Sequence, residues 1–143
     1  MELKIAFLQI LPGKNTDENL AIGKNACIEA KEKGADIALF PEMWSDGYTL
    51  LQREAELREL AIPKDSGFIR GFQNLAAKIR MAIGITFLES HDPKPLNSVV
   101  FFDRTGKEIL HYSKVHICAF DDEKCCRQGR ISMSESWISE GEP

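Results

Sequence analysis

The 143-residue sequence has no excess of basic charge. Lys and Arg number 18 against 22 Asp and Glu, a formal net charge of −4. A nucleic-acid backbone attracts the opposite balance, and no basic stripe interrupts the chain, so nucleic acid is excluded as a partner. Long apolar runs are also missing: the longest hold about four or five residues, far short of the ~20 that span a bilayer as a helix. A membrane partner is therefore not expected. Met1-Glu2-Leu3-Lys4 enters a strand pattern directly, without a charged-then-apolar export signal, and the expected address is cytoplasmic. The four cysteines, at 27, 118, 125 and 126, include no Cys-x-x-Cys pair. Cys118, Cys125, Cys126 and His116 lack a second ligand cluster, so no metal is expected. Adjacent cysteines in a reducing compartment make a poor disulfide framework, and no Cys-x-x-Cys opens a helix for redox chemistry. No glycine-rich loop opens a helix either; Gly47 and Gly84 read as backbone geometry rather than phosphate binding. No cofactor is implied. Repeats and low-complexity tracts are absent.

What is present is an ordinary globular composition, 43% hydrophobic and 28% charged, of a length that fits one domain. Leu3 to Ile10 reads as a buried opening strand that ends at the Pro12-Gly13 turn. Asn15 or Thr16 can cap the following helix, and Asp17 and Glu18 suit its positive first turn. Ile22, Gly23, Ala26, Cys27 and Ala30 share a face of that helix, which places Cys27 in packing, and Gly34 stops it. Ala35 to Phe40 is a short strand broken by Pro41, completing a right-handed β-α-β unit. Leu51 to Leu60 reads as a charged surface helix. Ser66 to Arg80 is a second clear helix, with Phe68, Phe72, Leu75, Ala76 and Ile79 on one face. Ala82 to Leu88 is apolar at both parities, as a central strand covered on both sides would be. Ser98–Phe102 and Glu108–Tyr112 form a hairpin across Asp103-Arg104-Thr105-Gly106, whose Asp and Gly fit a type I turn. No strand alternation is legible in 130–140. The expected fold class is α/β with a mixed sheet, which alone names no function.

Two charged residues stand where strands end. Glu42 follows the second strand within Leu39-Phe40-Pro41-Glu42, and Lys114 follows the last within Tyr112-Ser113-Lys114-Val115-His116. Ligands and catalytic groups collect at strand ends in α/β sheets. A carboxylate beside an ammonium in a partly desolvated cleft can act as base and as charge stabiliser. Read from spacing alone, the same two residues also fit a surface ion pair of little energetic weight. Trp44 and Tyr48 could line a pocket or pack beneath it. His111 and His116 flank Lys114, one pointing into the sheet and the other in a loop.

The order of these motifs resembles the nitrilase, or carbon–nitrogen hydrolase, superfamily. The resemblance runs from residue 3 to about 129 through Leu3–Gln9, Gly34-Ala35-Asp36-Ile37-Ala38-Leu39-Phe40-Pro41-Glu42 and Gly84-Ile85-Thr86-Phe87-Leu88-Glu89. Asn97-Ser98-Val99-Val100-Phe101-Phe102-Asp103, Gly106-Lys107 and Tyr112-Ser113-Lys114-Val115-His116 follow. It implies the first half of a four-layer α-β-β-α sandwich in a homo-oligomer, without metal or organic cofactor. It also implies a Glu-Lys-Cys set acting on small amide, N-carbamoyl or nitrile substrates. Glu42 then looks like the general base and Lys114 like the cation that steadies the tetrahedral intermediate. Asp122 or Glu123 could fill the family's further acidic position.

The resemblance leaves the cysteine nucleophile unplaced. Cys118 lies only four residues past Lys114, and Cys125 and Cys126 lie in a polar stretch with no buried strand before them. The motifs divide the chain into an incomplete hydrolase domain, 1–129, and a tail, 130–143, that departs from the family and reads as a possible frameshift. As written, the chain is expected to be a poor or inactive hydrolase that associates through open strand edges. The alternative is a noncatalytic remnant or interaction module that pairs through those edges.

Overall fold

The computed structural model describes residues 2–48, 54–115 and 131–133. Six strands form one sheet in chain order: β1 (Ile5–Phe7), β2 (Ile37–Leu39), β3 (Ala82–Glu89), β4 (Leu96–Phe102), β5 (Glu108–Ser113) and β6 (Ile131–Met133). β1, β2 and β3 run parallel, and β3 through β6 alternate antiparallel. The parallel pairs are joined by helical crossovers: α1 (Thr16–Glu32) after β1, then α2 (Glu54–Leu60) and α3 (Gly67–Ile79) after β2. This is the expected α/β class with a mixed sheet.

Both long helices start on a side-chain cap, at Asn15 as expected and at Ser66. Asn15 Oδ1 accepts from the Glu18 amide at 2.9 Å, and Ser66 Oγ accepts from the Ile69 amide at 3.4 Å. They cover one face of the sheet. Cys27 and Ala30 of α1 meet Phe68, Phe72, Leu75 and Ala76 of α3 over Ala38, Ile83, Ile85, Phe87, Val100 and Phe102 from the strands. Phe72 sits at the centre, edge-on to Phe40 and Phe68 with ring centroids 5.0 and 5.2 Å away. Gly23 permits this closeness, since a Cβ there would lie 2.7–2.9 Å from Phe40, Phe72 and Trp44. The β4–β5 turn closes as its residues predict: Asp103 O accepts from the Gly106 amide at 2.9 Å, and Gly106 takes φ 83°. Gln73 Nε2 then donates to Gly106 O at 2.9 Å, fastening the hairpin to α3.

Three expectations change. The opening strand is shorter than its apolar run and is not buried: Ile5 is exposed on the face away from the helices, and Phe7 is 72% exposed. Ala6, Leu8 and Ile10, of opposite parity, pack against the core. An apolar run reports that a strand can be covered on both faces, and the described residues cover one. The helix at Glu54–Leu60 is not purely a surface element, because Leu57 is fully buried with Met43 and Leu88; residues 51–53 lie outside the described residues. Finally, 131–133 does form a strand, pairing antiparallel with Leu110–Tyr112. A three-residue segment is too short to show an alternation, and the open edge of β5 supplies the template.

Candidate functional site

The topology brings one end of three strands together. β3 and β5 finish where β4 begins, since β4 runs the other way, and β2 points toward the same end but stops earlier, with Leu39 beside Gly84. Leu88 of β3 faces Asn97 of β4. Ser98 of β4 faces Ser113 of β5, and Lys114 follows as β5 ends, its amide donating to Asn97 O at 2.8 Å.

Glu42 reaches this row on a turn held along β3. Phe40 still pairs with the sheet, its amide donating to Gly84 O at 3.1 Å. Pro41 has no amide to continue the ladder, and its carbonyl accepts from Thr86 Oγ1. The Trp44 amide donates to the same hydroxyl oxygen at 3.1 Å, and Ser45 Oγ accepts from the Leu88 amide at 2.9 Å. Between these ties, Met43 takes φ 51°, a left-handed conformation that costs a non-glycine residue roughly 1–2 kcal/mol. Its burial against Leu57 and Leu88 offsets that cost. Trp44 is buried, stacks at a tilt on Phe40 and donates from Nε1 to Asn19 O at 3.0 Å. It anchors the turn rather than lining a pocket. Tyr48 is exposed.

Glu42 and Lys114 therefore meet although 72 residues separate them: Lys114 Nζ lies 3.0 Å from Glu42 Oε1. Asn97, a residue given no role by the sequence reading, joins them. Its Nδ2 donates to the same Oε1 at 2.6 Å, and its side chain is buried. The lysine and glutamate side chains are 25% and 44% exposed. As a fold-stabilising ion pair this contact is worth little; as a chemical group it leaves a carboxylate within reach of solvent and of a ligand.

The opposite face of the same strand ends holds a second polar cluster. Glu89 Oε2 accepts from Ser98 Oγ at 2.6 Å and lies 2.8 Å from His111 Nε2, and the Ser98 and Ser113 hydroxyls are 2.8 Å apart. Burial alone would push the Glu89 carboxyl up. The hydrogen bonds from His111 and Ser98, with the charges of His111 and Lys64, outweigh burial and hold it below the usual carboxylate range. His111 thus belongs to the sheet's underside, and His116 lies outside the described residues.

Among the described residues the one cysteine, Cys27, is fully buried, and burial pushes its thiol up to about 12. A protonated thiol without access is no nucleophile. Cys118, Cys125, Cys126, Asp122 and Glu123 lie outside the described residues. No group of three potential metal ligands occurs among the described residues. An open hollow of about 470 Å³ is walled by Phe7–Leu11 and Leu39–Pro41. It abuts the Glu42 turn in sequence, but none of the three clustered polar side chains lines it.

The class so defined is an α/β protein with a carboxylate, an amide and an amine gathered at one end of a mixed sheet. More narrowly, the chain belongs to the carbon–nitrogen hydrolase family, whose family model matches residues 4–139. It is 30% identical over 116 residues to a citrullinase of Francisella tularensis, covering 80% of this chain and 41% of that protein. To an N-carbamoylputrescine amidase of Oryza sativa it is 28% identical over 117 residues, covering 81% and 39%. The chain thus spans about two fifths of the length of these relatives. The fold matches that of a Nesterenkonia amidase from the nitrilase superfamily with a TM-score of 0.76, at 21% identity, over 90% of this chain and 49% of that one.

Proposed function

We propose that this chain supplies the acid–amine part of a thiol-dependent hydrolase of non-peptide carbon–nitrogen bonds. The observation behind it is the 3.0 Å approach of Lys114 Nζ to Glu42 Oε1 at the strand ends. In this reading Glu42 takes the proton of an incoming thiol, and the thiolate attacks the substrate's carbonyl carbon. Lys114 stabilises the negative charge that develops on the carbonyl oxygen. The carbon–nitrogen bond breaks, the amine leaves with the proton from Glu42, and a thioester remains. Glu42 then removes a proton from water, which attacks the thioester and frees the acid and the thiol. Cys27 is not that thiol, so the nucleophile comes from outside the described residues. The names of the relatives support amide and N-carbamoyl substrates over nitriles.

The test is expression from the native locus, including the nucleotides after codon 143, with ammonia release measured on N-carbamoyl amines and primary amides. A hydrolysing product whose turnover falls by about 10²–10⁴-fold in Glu42→Gln supports the reading. Wild-type turnover in that variant, or no hydrolysis at all, overturns it.

A second reading is favoured by the exposed Leu3, Ile5, Phe7 and Leu11: a noncatalytic module that associates through this apolar face. Sedimentation of the purified chain checks it, with Phe7→Lys expected to shift the distribution toward monomer. An unchanged distribution refutes it.

A further inference from the structure

The structure assigns Asn97 as the positioning residue of the Glu42–Lys114 pair, a role that deepens the proposed function and rests on it. One residue touches both partners by different atoms. Its side-chain Nδ2 donates to Glu42 Oε1 at 2.6 Å, and its backbone carbonyl accepts the Lys114 amide at 2.8 Å. The carboxylate is thereby referred to the same strand that holds the lysine's backbone. Asn97 is well placed for this, being buried near the start of the interior strand β4 and paired with Leu88 of β3. An asparagine suits the place chemically. Its NH2 donates to the carboxylate without carrying a charge, so it orients the acid without competing with the lysine for charge. A leucine, with the same branching, could occupy the place but not orient the acid.

The arrangement also distinguishes the two carboxylate oxygens. Oε1 receives both Asn97 Nδ2 and Lys114 Nζ. Among the described residues no hydrogen bond falls on Oε2, which makes it the oxygen aimed at the proton to be moved. Asn97 acts through Glu42 rather than on substrate. Its removal would let the carboxylate rotate, so that neither oxygen keeps a fixed role.

The experiment uses the 143-residue chain and two readouts that need no turnover. In the isotope-labelled protein, the Asn97 side-chain amide signals are followed by NMR while Glu42 is titrated. They are expected to shift together with the Glu42 carboxyl carbon, to lose that shift in Glu42→Gln, and to keep it in Lys114→Met. The second readout is the rate at which an amine-acylating reagent labels Lys114. Asn97→Leu is expected to raise it severalfold, and Asn97→Gln to restore it in part, while circular dichroism reports that each variant is folded. Asn97 signals indifferent to Glu42, or equal Lys114 labelling in folded wild type and Asn97→Leu, would overturn the assignment. If Asn97→Leu does not fold, the wild-type and Glu42→Gln titrations decide alone. A failure of the hydrolase reading shows instead as missing ammonia release and leaves both readouts standing.

Discussion

Replacing Glu89 by Gln tests whether the underside of the sheet holds the strand ends that present the site. Ser98 adjoins Asn97, and Ser113 adjoins Lys114, so the two hydroxyls gathered near Glu89 sit one residue from two members of the cluster above. The Glu89 and His111 side chains are 12% and 19% exposed, and little water can replace a lost contact. A hydrogen bond to a charged group contributes about 1.5–3 kcal/mol, against about 0.5–1.5 kcal/mol for a neutral one. Glutamine keeps the shape but has one acceptor oxygen and an NH2 donor. Both contacts fall on one oxygen, Oε2, so the amide oxygen can take that place and accept from Ser98 and His111, but without the carboxylate's charge. The expected loss at neutral pH is therefore about 2 kcal/mol of unfolding free energy, roughly 1 kcal/mol of charge assistance for each of the two bonds. The sign of the pH dependence follows from the carboxyl's depressed folded value. Its stabilisation is present in full above the unfolded value, about 4.3, and disappears as pH falls through the lower folded value. Urea unfolding of both proteins at pH 7 and pH 3 measures this. The gap between them should narrow on acidification, because only the wild type has a charge to lose. A gap that stays constant with pH, or that is negligible at pH 7, would refute the reasoning.

The other expectations concern packing. Phe72→Ala, at the centre of the helix–sheet interface with no exposed surface, should cost about 3–5 kcal/mol in urea unfolding. Gly84→Ala should be destabilising by about 1–3 kcal/mol, because its Cβ would lie 2.5 Å from Phe101 Cζ and 2.9 Å from Leu39 Cδ2; a neutral effect in the same assay would show that the Phe101 ring yields freely. Cys27, with its thiol pushed up to about 12, should resist alkylation in the native protein and react once urea unfolds it, as peptide mass spectrometry will show.

The elements were legible in proportion to how local their causes are. The cap at Asn15, the Phe68–Phe72–Leu75–Ala76 face and the Asp103–Gly106 turn each depend on a few neighbouring residues, and each forms as its residues predict. Burial was legible at Cys27, Phe72 and Ile83–Phe87, whose apolar faces meet other elements, and not where cover is missing or comes unannounced. The Ile5 and Phe7 side chains are apolar but open, and no property of the strand itself says whether anything lies over it. Leu57 shows the reverse: its charged helix reads as surface, but Met43 and Leu88 come from elsewhere to cover it.

The site divides along the same line. That Glu42 and Lys114 follow strands can be read from the chain, but that those strands share an end depends on sheet order. Three steps separate β2 from β5, a span of roughly 14 Å at the usual strand spacing, beyond the joint reach of two such side chains with ease. The gap closes because the Pro41–Ser45 turn does not leave the sheet at β2. It is tied onto β3 through Thr86 and the Leu88 amide, which carries Glu42 one strand closer, to where Asn97 of β4 meets it. Neither a hydroxyl at 86 nor an amide at 97 announces chemistry in a linear sequence. Both matter because they let one carboxylate cross a strand and arrive with its orientation set.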